Sequence, residues 1–164
     1  MYDLTEDNWD HRMRLESNIV IRRKAEEVWK FLTQPSNLAK WDRGVATVEV
    51  PDSTVPAGVG FEFTTVGHAG TGPDHGRMTY RVTEADLVEK NYRVELTSRT
   101  GNARFFRAAH WHVRVEDAPE GSRVMCSTEF QLRVRYLLLA PVLYFMKGAM
   151  HRDLVNLRSV LENG

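Results

Sequence analysis

Apolar and polar positions change period along the chain, and each change marks an element. Over residues 13–21, Met13, Leu15, Ser17, Ile19 and Ile21 fall on one face and Arg14, Glu16 and Asn18 on the other. A period of two with β-branched residues predicts a half-buried strand. Over 24–32 the period lengthens: Val28, Phe31 and Leu32 share a helical face, with Trp29 beside them. Glu26 and Glu27 occupy the first turn of that helix, where its dipole favours acids. Pro35 suits the first turn of a second, short helix ending near Trp41.

Alternation then returns repeatedly. Residues 45–50 form one strand, with Val48 and Val50 inward and Glu49 outward. The inner faces of the others read Phe61, Phe63, Thr65; Met78, Tyr80, Val82; and Tyr92, Val94, Leu96, Ser98. Two longer strands follow, one with Phe105, Arg107, Ala109, Trp111, Val113 and Val115 inward, one with Val124, Cys126, Thr128, Phe130 and Leu132 inward. Turn residues fill 51–60, 67–76, 99–102 and 117–122. The tail over 136–162 predicts one long helix, because Leu143, Met146, Met150, Leu154, Leu157 and Leu161 step by three or four. Pro141 belongs near its start. Gly148 inside it costs about 1 kcal/mol relative to alanine, which points to a bend or a tight approach.

Consecutive hairpins make one antiparallel sheet, and strands with one apolar face need one cover. The expected fold is α+β: a seven-stranded curved antiparallel sheet wrapped around a long C-terminal helix, with two short helices between strands 1 and 2. Such wrapping leaves room for a cavity. Its wall is mostly apolar with a few polar groups, as a ligand pocket requires, although the same residues could pack as a solid core. The candidate ligand-binding residues are Phe61, Phe63, Met78, Tyr80, Tyr92, Arg107, Trp111, Thr128 and Phe130 on the sheet, and Leu143, Met146 and Met150 on the helix. Tyr80 and Tyr92 either orient a ligand oxygen or send their hydroxyls to water. Arg107 has two readings. On the inner face its planar fork binds an anionic group; alternatively, a β-bulge turns it to solvent, since one slip in register flips every side chain.

Length and charge narrow the function. The 164 residues make one domain, read as a polar arm over 1–12 and a folded body over 13–164. Lys and Arg number 22 and Asp and Glu 22, so a nucleic-acid partner is not expected. One cysteine excludes an internal disulfide. The longest apolar run, 136–146, contains Pro141 and falls short of the about 20 residues that span a bilayer. No leader is visible, and the expectation is a cytoplasmic monomer or homodimer without integral membrane association.

Little in the sequence offers catalysis. His110 and His112 share a strand face with Arg104 and Arg114, opposite the apolar wall. Zinc there would need a further ligand from His68, Asp74 or His75, so a solvated pair is expected, with no metal or cofactor. Cys126 reads as buried packing rather than a nucleophile. Glu49, Glu62, Glu95 and Glu129 all sort outward, which leaves no strand carboxylate for acid–base work inside.

Three stretches carry a family resemblance: IVIRRKAEEVWKFLTQPSNLAKWD (19–42), EGSRVMCSTEF (120–130) and LAPVLYFMKGAMHRDLVNLRSVLE (139–162). Together with the element order they resemble the START-like, or SRPBCC, helix-grip superfamily, and the tail its polyketide cyclase/dehydrase branch. The resemblance covers 13–162. It implies an interior pocket for an apolar or amphipathic small molecule. Non-catalytic binding, as carrier or sensor, is the expected function. A polyketide aromatase/cyclase using the same cavity is the alternative, with Arg107, Tyr80 and Tyr92 as its residues. A third reading has the segment YLLLAPVLYF meet a protein partner. Fold does not choose among them.

Overall fold

The computed structural model describes residues 12–51, 58–68 and 76–164. The polar arm therefore lies outside the described residues, except for Arg12, which opens the first strand.

The elements are β1 (Arg12–Ile21), α1 (Ala25–Leu32), α2 (Leu38–Trp41), β2 (Val45–Glu49), β3 (Glu62–Gly67), β4 (Arg77–Asp86), β5 (Asn91–Leu96), β6 (Phe106–Ala118), β7 (Gly121–Leu132), α3 (Ala140–Tyr144) and α4 (Met146–Asn163). The strands form one antiparallel sheet in the order β1-β7-β6-β5-β4-β3-β2. Register shifts in the β2–β3, β4–β5 and β6–β7 pairs bend it, because an extra residue kinks a strand and raises its twist. The result is a curved half-barrel closed by the C-terminal helix, as the alternation predicts.

Alternation sets the core. Leu15, Ile19 and Ile21 of β1 and Val124, Cys126, Thr128 and Phe130 of β7 are all buried. Leu154 and Leu157 of α4 pack against them with no exposed surface. The end of α4 is tied to the residues that follow β1. The Arg22 N–H donates to Glu162 Oε1 at 2.7 Å, and Arg23 Nε–H to the Leu161 carbonyl at 2.7 Å. Asn156 Nδ2–H donates to the Trp41 carbonyl at 2.8 Å. Gly121 opens β7 at φ +142°, where a Cβ would run into the Ile21 carbonyl and the backbone of Arg22 and Arg23.

The tail departs from the expected single helix. A 3-10 turn spans Val134–Leu139, α3 follows, and α4 begins only at Met146. Pro141 lies in the first turn of α3 and has no N–H to give the preceding turn, so the α ladder cannot run back through it. Gly148 is exposed, and a Cβ there would meet only Arg152 Nη1 at 3.7 Å. Neither a bend nor a tight approach requires this glycine.

Candidate ligand cavity

A cavity of about 690 Å³ lies between the sheet and α4, within the roughly 300–1,000 Å³ typical of ligand sites. Its sheet wall is a chain of rings. Phe63 packs on Tyr80 at 5.6 Å between centroids, and Tyr80 meets the edge of Trp111 at 5.0 Å. Phe106 meets Phe130 at 5.9 Å. Of the sequence candidates, Phe63, Met78, Tyr80, Tyr92, Trp111, Thr128, Phe130, Leu143, Met146 and Met150 all line this space. The exposed lining residues Arg43, Gly44, Met146 and Arg152 mark where it meets solvent.

Two candidates lie elsewhere. Phe61 precedes β3, where its N–H donates to the Gly58 carbonyl in a turn; it packs on the core margin and is not in the cavity wall. Arg107 is exposed. Phe106 pairs with Leu132 and Ala108 with Gln131, so Arg107 is the extra residue of a bulge. The alternation read back from Trp111 fails at that point, and Phe106 takes the inward place expected of Arg107. Nothing in the run FFRAA signals an inserted residue, which is why the strand pattern alone could not choose.

Several hydroxyls of the lining residues are buried within the wall. Tyr92 Oη and Thr128 Oγ1 are buried without a hydrogen-bond partner among the described residues. Tyr80 O–H donates to Met78 Sδ at 3.5 Å. Burial pushes both tyrosine hydroxyls far above the ordinary phenol range, with the charge of Asp42 adding to the effect at Tyr80. Both phenols stay protonated and able to donate.

Two carboxylates from outside the strands line the cavity as well. Asp42 ends α2, and its Oδ1 accepts the Gly44 N–H at 2.8 Å. Burial, with the charge of Asp153 as a lesser cause, pushes its carboxyl up to about 6. Asp153 Oδ1 accepts the Arg43 N–H at 3.3 Å. Burial raises its pKa too, while Arg43 and Arg152 oppose the shift. Sorting by strand alternation missed both because neither is on a strand. A signal for Asp153 existed: it is three residues beyond Met150 and seven beyond Met146, on the helix's apolar stripe. The Cys126 thiol is pushed up to about 12, chiefly by burial and further by these two acids, so it stays an unreactive packing group.

His110 and His112 pair with Glu95 and Arg93 of β5 and share their face with Arg114. Burial and then Arg93 lower the His112 pKa. No group of three potential metal ligands occurs among the described residues, and Asp74 and His75 lie outside them.

The model of the polyketide cyclase / dehydrase and lipid transport family matches residues 12–162, so the chain belongs to that family, within the SRPBCC superfamily. No curated protein matches it in sequence. Solved structures share its fold at low identity. Norcoclaurine synthase from Thalictrum flavum, in complex with dopamine and hydroxybenzaldehyde, is 13% identical with a TM-score of 0.70, over 93% of this chain and 87% of that one. Ara h 8.0201 is 13% identical with a TM-score of 0.71, over 93% and 99%. Protein MLL2253 from Mesorhizobium loti is 13% identical with a TM-score of 0.67, over 92% and 98%. No helix among the described residues is long and apolar enough to cross a membrane.

Proposed function

We propose that this protein binds a small hydrophobic or amphipathic molecule in the cavity between sheet and α4, as a carrier or sensor. One observation carries the reading: about 690 Å³ of largely apolar space lined by Phe63, Tyr80, Trp111 and Phe130 on the sheet and by Leu143, Met146 and Met150 on the tail. A solid core would have closed that space. The apolar rings and Met78, Met146 and Met150 would hold the body of the molecule. The family's lipid-transport members, and the small aromatic molecules held by the norcoclaurine synthase relative, support the same reading. With it goes a cytoplasmic monomer or homodimer that needs no cofactor, metal or nucleic acid.

Mass spectrometry of organic extracts from purified protein, beside a size-matched control, tests for a resident molecule. Titration with the neutral probe N-phenyl-1-naphthylamine tests the space itself. The expected result is saturable fluorescence enhancement that Met150→Trp, a cavity-filling change, reduces roughly tenfold or more. An empty extract together with no enhancement in the wild type overturns the reading.

Asp42 favours a second reading, a cyclase-type enzyme on the same site. A carboxyl held near 6 inside an apolar cavity is suited to take a proton at neutral pH. Its substrate would be a molecule with an acidic C–H beside a carbonyl, which the cavity would hold in a reactive fold. A recovered ligand returned to the protein in D2O gains deuterium at carbon under this reading, and Asp42→Asn abolishes the exchange. A ligand that binds without exchange leaves the protein a binder.

A further inference from the structure

Leu138, Val134 and Phe145 are 92%, 83% and 82% exposed. They lie in the turn Val134–Leu139 and beside α3, among the exposed Val142, Tyr144 and Met146. Folded proteins seldom gather so many large apolar side chains on one short exposed segment without a partner for it.

The charges around this segment are one-sided. Residues 130–152 contain no Asp or Glu, and neither do residues 96–115, in a chain with 22 acids. These two stretches touch. The Arg133 N–H donates to the Phe105 carbonyl at 3.1 Å and its Nε–H to the Phe106 carbonyl at 3.2 Å. Phe105 and Tyr136 meet edge to face at 4.9 Å, with Arg104 and Arg135 over those two rings at 5.0 and 4.9 Å. Arg99 donates to the Arg107 carbonyl at 3.2 Å, so the bulged Arg107 joins the same border. Among the described residues, Arg99, Arg104, Arg107, Arg133 and Arg135 meet no carboxylate. By contrast, Arg14, Arg77, Arg81 and Arg114 elsewhere on the sheet each sit within 4.0 Å of a glutamate.

From this juxtaposition we propose that the segment 134–147 and its arginine border dock on the surface of an anionic phospholipid bilayer. Apolar side chains ringed by cations bind such an interface by entering about 5–10 Å while the cations meet headgroup phosphates. A second copy of the chain fits less well, because a two-fold contact would set this acid-free surface against itself. Leu143 and Met146 belong both to this segment and to the cavity wall. Docking would therefore bring the cavity mouth to the acyl layer. That consequence rests on the ligand-binding reading, whereas docking itself does not.

Flotation of the full chain with phosphatidylcholine–phosphatidylglycerol vesicles, and with phosphatidylcholine vesicles, tests the proposal. The chain should float with the anionic vesicles and be released by high salt. Leu138→Ser with Phe145→Ser, and separately Arg104→Glu with Arg135→Glu, should each lower the bound fraction roughly tenfold or more. Unchanged thermal melts and unchanged N-phenyl-1-naphthylamine titration in these variants would separate loss of docking from loss of fold or cavity. Wild-type protein that fails to float, or variants that float like wild type, overturn the proposal. A dimer that Leu138→Ser with Phe145→Ser dissolves, with no flotation, assigns the surface to a second copy instead.

Discussion

Leu154 and Leu157 have no exposed surface, while Leu138 and Phe145, in the same C-terminal tail, stand almost wholly in water. The same step of three or four residues runs through Leu143, Met146, Met150, Leu154 and Leu157, yet burial ends partway along. The difference lies in what faces the stripe. The second half of α4 packs its leucines into the core and is fastened through Asn156, Leu161 and Glu162. Before Asp153 it faces the cavity, and its apolar side chains line a space or a surface instead of a packed wall. Periodicity reports which face of a helix is apolar; only the opposing wall makes that face a core.

The sharpest way to break this contrast is a pair of truncations. Leu157→Ala should cost about 2–5 kcal/mol of stability, the usual loss for a fully buried leucine. Leu138→Ala should change stability by less than about 0.5 kcal/mol, as for an exposed position. Chemical denaturation of both variants gives the two numbers. Similar losses would mean that the exposed half is packed in solution and that the two halves are one core.

A second test falls where the halves meet. Asp42 and Asp153 lie at that junction, with Arg43 and Arg152 the nearby cations. The Asp42 carboxyl is raised from 3.8 to about 6 on folding, so the folded state binds more protons than the unfolded chain in that window. Stability should therefore fall as pH rises from about 4 to about 6 and then level off. Asp42→Asn keeps an acceptor for the Gly44 N–H and removes the charge. It should flatten that slope and raise stability near neutral pH by about 1–2 kcal/mol. A thermal melt series across pH reads both effects, and an unaltered slope in the variant would place the charge in water.

The same contrast explains which parts of the fold are legible in the sequence. Strand alternation is a strong signal: it points Tyr80, Trp111, Thr128 and Phe130 inward, and they lie inward. Arg107 marks where it stopped: an inserted residue leaves no compositional mark, and the two registers of β6 were equally consistent with the residues. Phe61 lies one position before its strand and shows the usual uncertainty of element ends. Asp42 was hidden for a different reason. It sits at the end of a four-residue helix, where no period exists to sort faces, and its position depends on how α2 leans on α4. Strands fix side-chain direction locally, whereas helix ends acquire it from tertiary packing.

The smallest effect bears on the exposed half directly. Gly148 sits in the first turn of α4, is exposed, and would place a Cβ 3.7 Å from Arg152 Nη1 of the same helix. Its cost is then only backbone freedom, so Gly148→Ala should stabilise the protein by about 0.5–1 kcal/mol. The gain appears as a small rise in melting temperature with N-phenyl-1-naphthylamine binding unchanged. A loss of stability would show that this turn must bend or that another surface closes on it. Unchanged stability with weakened vesicle binding would instead mean that the turn's freedom, rather than its packing, serves the bilayer contact. Either result would move Gly148 out of the plain solvent-facing helix that its surroundings describe.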